Sequence, residues 1–221
     1  VMMFEKIFPK VHPEGYKFLI ISLIITLILL SISTFFGFIF IFITIWVYYF
    51  FRDPERVVID DQNYLVSPAD GRISSISEVK GPIELGLDNK QFTKVSIFMN
   101  VFDCHVNRSP SNGEIEEIFY KPGKFLNASL DKASEENERN YFKIKDETTN
   151  ENIVIVQIAG LIARRIVTQV QKTQKIKQGE RLGMIRFGSR VDIYFSKRNT
   201  MVKVGQNVIA GESLIARKLN E

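Results

Sequence analysis

The stretch IKQGERL, residues 176–182, returns 32 residues later as VIAGESL, residues 208–214. Both copies place a Gly-Glu pair between two aliphatic residues. This pattern is typical of a tight turn in which glycine takes a left-handed conformation and the aliphatic residues anchor the two strands. The repeat therefore predicts two related hairpins, and with them two pseudo-symmetric halves of one β domain.

The rest of the chain beyond residue 53 has the same character. Short runs rich in Val, Ile and Phe are separated by Gly, Pro, Asn and Asp, and no long amphipathic helix lies between successive runs. This spacing favours antiparallel strands over βαβ units. We expect a mainly β fold, an antiparallel barrel-sandwich of the lipoyl type.

The N-terminal part is apolar instead. Residues 18–51 contain no charged side chain. As a single helix this run would be about 50 Å long, far more than a hydrocarbon core of about 30 Å. Its middle, residues 31–37, is the least apolar part and contains a glycine. The sequence therefore predicts a helical hairpin, either transmembrane or re-entrant, and the run is too long for the apolar core of a signal peptide.

Basic residues flank the apolar run on both sides: Lys6, Lys10 and Lys17 precede it, and Arg52 and Arg56 follow it. The positive-inside rule then puts both flanks in the cytoplasm. We expect residues 1–52 to anchor the chain and residues 53–221 to form a catalytic domain on the cytoplasmic face of the inner membrane. The net charge of +4 favours an anionic membrane surface as partner, and no basic stripe with aromatic residues indicates nucleic acid binding.

Few residues are candidates for chemistry. Cys104 is the single cysteine, and no His-x-x-x-His spacing occurs, so neither a disulfide nor a metal site is expected. Taken singly, the other candidates have ordinary interpretations. Gly188-Ser189 is typical of a turn, Asp70 in SPADG of an Asx turn, and His105 of a structural histidine at a strand end.

Several sequence blocks in a fixed order change this interpretation. With them the chain resembles the phosphatidylserine decarboxylase proenzymes in their shorter bacterial form. The blocks follow the apolar segment and cover nearly the whole chain: RDP at 52–54, SPADG at 67–71, SIFMNVFDCHVNRSPSNG at 96–113, YKPGKFLNASLDKASEENER at 120–139, VQIAGLIARRI at 156–166 and FGSRVD at 187–192.

The resemblance implies that the chain cuts itself. Ser189 would attack the carbonyl of Gly188, leaving a β chain, residues 1–188, and an α chain, residues 189–221, that begins with a pyruvoyl group derived from Ser189. This covalent cofactor would replace pyridoxal phosphate. It would form a Schiff base with phosphatidylserine and accept the electrons released with CO2, giving phosphatidylethanolamine.

The same resemblance implies that Asp70 orients a histidine that deprotonates Ser189. Longer members of the family have a second histidine where this chain has Arg108. His105 is therefore expected to serve both self-cleavage and decarboxylation. Arg108, Arg186 and Arg190 are candidates for binding the substrate phosphate or carboxylate, and their alternative interpretation is that of solvated surface charges.

Other functions stay open at this point. A membrane-anchored barrel-sandwich adaptor or carrier module would share the repeated hairpins, although a carrier would be expected to have a lysine at a hairpin tip, and neither Gly-Glu pair includes one. A pyruvoyl-dependent decarboxylase of a soluble amine would not need the apolar segment. A related serine phospholipid could replace phosphatidylserine, and a homo-oligomer is allowed.

Overall fold

The computed structural model describes residues 8–59, 61–125, 136–160, 165–186 and 189–219. The predicted scissile residue Gly188 and most of the polar segment that follows residue 125 lie outside these ranges. The chain divides into two compact units, Val1–Glu55 and Arg56–Glu221.

The first unit is a pair of apolar helices. A 3-10 turn at Pro13–Gly15 leads into α1, Tyr16–Ile32, and α2 follows as Thr34–Phe50. The single residue between them, Ser33, is extended with φ −154° and ψ 121° and ends the first helix. Each helix of 17 residues is about 25 Å long. The predicted hairpin is therefore present.

Small and polar side chains hold the two helices together. The hydroxyls of Thr26 and Thr44 lie 2.8 Å apart across the interface. Gly37 allows close approach, because a Cβ there would lie 2.3 Å from the side chain of Leu30. Among the described helices, the segment Pro13–Ile32 is long enough and apolar enough to cross a membrane.

The second unit consists of short strands. They are β1 Tyr64–Val66, β2 Gly71–Lys80, β3 Gln91–Met99, β4 Val106–Arg108, β5 Gly113–Lys121, β6 Arg139–Asp146, β7 Asn152–Ala159, β8 Arg165–Thr168, β9 Lys175–Ile176, β10 Arg181–Arg186, β11 Ser189–Phe195, β12 Arg198–Thr200, β13 Asn207–Val208 and β14 Leu214–Lys218. One 3-10 turn, Ile83–Leu85, lies between β2 and β3.

The strands form three sheets, and every pairing between these strands is antiparallel. The largest has eight strands in the order β13-β2-β3-β11-β7-β6-β5-β9, and the smaller ones are β1-β14-β12 and β4-β10-β8. Strand β11 lies between β3 and β7, so its two neighbours come from distant parts of the chain. The prediction of a mainly β, antiparallel domain preceded by a helical hairpin is confirmed.

The two copies of the repeat form equivalent turns. Gly179 and Gly211 have φ angles of 77° and 78°, so both adopt the predicted left-handed conformation. The strands that enter them also pair alike, because Ile176 lies opposite Gly113 and Val208 lies opposite Gly71.

A second repeat faces the first. SPADG at 67–71 and SPSNG at 109–113 share three of five residues. The amide of Gly211 donates to the carbonyl of Ser67, and the amide of Gly179 donates to the carbonyl of Ser109, both over 2.8 Å. Each half of the domain therefore combines one S-P-x-D/N-G turn with one G-E turn, as a pseudo-symmetric fold requires.

Candidate active site

Ser189 is the first residue of β11 and is fully buried. Its backbone is opposite Met99 of β3 on one side and Ala159 of β7 on the other. Its hydroxyl donates to the sulfur of Met99 over 3.4 Å. The side chain therefore points to the inner face of the eight-stranded sheet, near the end of the strand.

His105 lies in the loop between β3 and β4 and is also fully buried. Its Nδ1 atom is 2.9 Å from the carbonyl oxygen of Asp103. Its own carbonyl accepts a hydrogen bond from the amide of Ile185 in β10. The main chain thus fixes one edge of the ring, and because a carbonyl oxygen can only accept, Nδ1 donates in this contact and carries a proton.

Asp70 is held at the end of the first S-P-x-D/N-G turn. Its carboxylate accepts two hydrogen bonds from Arg56, of 2.9 and 2.8 Å, and one of 2.8 Å from the amide of Ala210. Within the described part of the chain these account for its hydrogen bonds. The expected hydrogen bond from Asp70 to His105 is therefore not formed in this structure.

Arg56 connects Asp70 to the loop that carries His105. Burial by itself would lower the pKa of the Arg56 guanidinium, but the Asp70 carboxylate and the sulfur of Cys104 outweigh it, and the pKa lies above its ordinary value. Cys104 directly precedes His105. One guanidinium thus contacts both the predicted orienting carboxylate and the neighbour of the predicted base.

Arg108 and Arg186 belong to strands β4 and β10 of the sheet β4-β10-β8, and both are buried. The guanidinium of Arg108 donates to the carbonyl of Gly179 over 2.8 Å, so it fastens the turn of the first G-E repeat. Arg186 ends β10, two residues before the predicted scissile bond, and burial lowers its pKa. Neither side chain is a solvated surface charge, since their exposed fractions are 4% and 8%.

Arg190 lies on the other face of β11 from Ser189. Side chains alternate along a strand, and Val191 and Ile193 belong to the same inner core as the neighbours of Ser189. On the outer face the Arg190 guanidinium binds the Asp192 carboxylate over 2.6 and 2.8 Å. The structure therefore does not bring Arg190 together with Ser189.

A cleft of about 470 Å³ opens beside Asp70. Its lining includes two acidic residues, Asp70 and Asp103, and one basic residue, Arg72. Such a lining can receive a ligand that carries both charges. Among the described residues, no group of three His, Cys, Asp or Glu side chains could hold a metal ion.

Two contacts of this site were missed from the sequence. From the sequence, Arg56 belongs only to the basic flank of the apolar run, and Met99 only to the block SIFMNVFDCHVNRSPSNG. The contact between Arg56 and Asp70 could have been predicted from the sequence. Asp70 and Asn112 occupy equivalent positions of the S-P-x-D/N-G repeat, and only Asp70 has a negative charge for a basic residue to neutralise. No sequence signal pairs Met99 with Ser189, because that contact depends on the strand order.

Comparison with known proteins gives consistent results. The sequence model of the phosphatidylserine decarboxylase family matches residues 43–216. A phosphatidylserine decarboxylase proenzyme of Pelagibacter ubique is 65% identical over 98% of this chain and all of the relative. Proenzymes of the same description from Azorhizobium caulinodans and Ruegeria pomeroyi are 52% and 50% identical over 93% of this chain, and over 88% and 94% of their own lengths.

Proposed function

The chain belongs to the phosphatidylserine decarboxylase family, and we propose that it converts phosphatidylserine to phosphatidylethanolamine and CO2 with a pyruvoyl group made from its own Ser189. A decarboxylase is a lyase, and the word proenzyme in the names of the relatives supports maturation by cleavage. Nothing in the structure favours the alternative of a non-catalytic carrier.

The position of Ser189 is the observation that carries this proposal. Attack of its Oγ on the Gly188 carbonyl carbon forms an ester while the C–N bond breaks, and the Oγ proton ends on the freed amine. Elimination then leaves a carboxylate on Gly188 and a dehydroalanine at 189, which loses ammonia in hydrolysis and becomes a ketone. The ketone supplies an electron sink for decarboxylation.

The sheet would retain the new chain terminus after the cut. Ser189 is hydrogen-bonded into the ladder next to both Met99 and Ala159, in the middle of the eight-stranded sheet. The small chain, residues 189–221, contributes β11 to β14, which pair with β3, β7, β2 and β1. Both chains therefore stay in one fold, and residue 189 keeps its place in the sheet between β3 and β7.

His105 is the proposed base for Ser189 and the proton donor in decarboxylation. Asp70 is proposed to hold Arg56, whose guanidinium reaches the residue before His105. Neither Ser189 nor His105 is among the described residues that line the cleft beside Asp70, so the cleft is not assigned to the reacting headgroup. Arg108 and Arg186 are the arginines that remain candidates for the substrate phosphate.

The helical hairpin is the proposed membrane anchor. Its buried positions include Ser22, Thr26 and Gly37, while Leu27 and Phe42 are 60% and 70% exposed. Apolar outside and small or polar inside is the arrangement of helices packed in lipid. With basic residues at both ends, we propose that the hairpin holds the enzyme at the cytoplasmic face of an anionic membrane, where its lipid substrate is concentrated.

Intact mass spectrometry of the purified protein tests the proposal. We expect two chains, residues 1–188 and 189–221, with the small chain lighter by one ammonia than a chain that begins with serine. Ser189→Ala should stay uncut and inactive. Ser96→Ala, which changes another fully buried serine on the neighbouring strand, should be cut normally. A single uncut chain that is active and retains Ser189 would refute the proposal.

A further inference from the structure

A chain of buried polar side chains leads from Ser189 into the interior, between the eight-stranded sheet and the sheet β4-β10-β8. Its members are each at most 2% exposed, apart from Thr168 at the far end: Ser189, Met99, Asn107, Gln157, Asn140 and Thr168. Beyond it, the inner face of β11 is apolar, with Val191, Ile193 and Phe195 in the core. The polar chain is thus confined to the end of the core where Ser189 lies.

The contacts next to Ser189 converge on one sulfur atom. The Ser189 hydroxyl donates to Met99 Sδ over 3.4 Å, and the side-chain amide of Asn107 donates to the same sulfur over 3.8 Å. The Asn107 oxygen in turn accepts from Gln157 over 2.8 Å. With Gln157 donating here, the amide of Asn107 has its NH2 group towards Met99.

The far end of the chain fixes Gln157. Its oxygen accepts from Asn140 over 3.2 Å, and Asn140 also donates to the Thr168 hydroxyl over 3.3 Å. Asn140 and Gln157 belong to the large sheet, whereas Asn107 and Thr168 belong to the smaller one. Buried amides are costly unless they are paired, and apolar side chains could fill the same space. A network in which these buried amides are paired with one another next to Ser189 indicates a role beyond packing.

We propose that Met99, held by Asn107 and Gln157, positions the Ser189 hydroxyl for its attack on Gly188; this inference rests on the proposed self-cleavage. A thioether is a weak acceptor. It fixes the direction of the hydroxyl, yet little interaction is lost when the proton passes to a base. A carbonyl or carboxylate acceptor at the same place would hold the proton more strongly.

The role ends when cleavage is complete. The Ser189 oxygen leaves as part of the Gly188 carboxylate, and the former Cβ atom becomes a methyl group beside Met99. A methyl group contacts leucine as well as it contacts methionine. Replacing the sulfur should therefore slow self-cleavage and leave decarboxylation by the processed enzyme nearly unchanged.

The test compares Met99→Leu with Ile97→Leu. Ile97 is also fully buried and lies on the same strand and face, and both substitutions nearly conserve volume. The first-order rate of precursor cleavage is followed on denaturing gels, and kcat/KM on phosphatidylserine is then measured per processed chain. Loss of one hydrogen bond to the hydroxyl should slow cleavage by about three- to tenfold in Met99→Leu only. kcat/KM should stay within about twofold of the wild type.

A second variant serves if Met99→Leu does not fold. Asn107→Leu/Gln157→Met replaces two hydrogen-bonded partners by apolar groups of similar shape, and it should also slow cleavage selectively. Variants that cleave at the wild-type rate, or that lose cleavage and kcat/KM by the same factor, would overturn the positioning role. A wild-type chain that is never cut would instead refute the proposed function.

Discussion

Removal of the ion pair between Arg190 and Asp192 separates a structural role from a role in substrate binding. The two side chains lie on one face of β11, two residues apart, and are joined by bonds of 2.6 and 2.8 Å. Their exposed fractions are 5% and 3%. We consider Arg190→Met, Asp192→Leu and the double variant, all in the uncut Ser189→Ala background so that chain separation does not complicate unfolding.

The burial of the ion pair sets the loss of stability that we expect in each variant. Each single variant removes one member of a buried ion pair, which costs about 3–5 kcal/mol in the free energy of unfolding. For a domain of this size, this lowers Tm by about 6–20 °C. The double variant removes both charges from a face that also contains Val156 and Ile158, and it should lie within about 2 kcal/mol of the parent. The coupling energy should therefore be at least about 4 kcal/mol.

Thermal and denaturant unfolding in detergent give this cycle, and the double variant is also made with Ser189 intact. Because Arg190 faces away from Ser189, the processed double variant should keep the wild-type KM for phosphatidylserine. Additive losses in the two single variants would show that the pair is not coupled. A stable double variant whose KM rises about tenfold or more would show that Arg190 binds substrate, as the sequence suggested.

Two further predictions follow from the turn at Asp70 and from the outer face. Asp70→Asn keeps an oxygen that accepts from the Ala210 amide, so Tm should fall by only about 5–10 °C. Denaturing gels should show that self-cleavage is slowed at least about a hundredfold. Cleavage at the normal rate would contradict a role for the charge. Burial raises the pKa of Tyr141 and Tyr194 well above the ordinary 10.0. As the pH rises above about 10, the unfolded state therefore loses these protons before the folded state does, and the free energy of unfolding should fall. Tyr194→Phe should weaken that dependence in denaturant titrations, and an unchanged slope would contradict the shift for Tyr194.

The features that the sequence predicted correctly are those set by local patterns. The apolar run broken near residues 31–37 gave the hairpin, and the two G-E repeats gave left-handed turns at Gly179 and Gly211. Each depends on periodicity or on a single backbone conformation, and both can be read within a few residues.

The contacts that the sequence did not predict depend on strand order. β11 lies between β3 and β7, so Met99 meets Ser189 from 90 residues away. Adjacency in sequence also misleads at this site. Arg190 follows Ser189 directly, but alternation along the strand turns it to the opposite face, a point that the strand-like pattern RVDIYF could have indicated.

The pseudo-symmetry separates what the fold needs at residue 70 from what it does not need. Asn112 occupies the equivalent turn, and its side-chain oxygen accepts from the Gln178 amide over 2.7 Å, as Asp70 accepts from Ala210 over 2.8 Å. A neutral amide is therefore sufficient to close the turn. The charge of Asp70 is additional, and it is balanced by Arg56, which also reaches Cys104 beside His105. Since a partly buried carboxylate costs free energy that an amide does not, the charge is best explained by the chemistry of the site, where Arg56 joins Asp70 to the residue before His105.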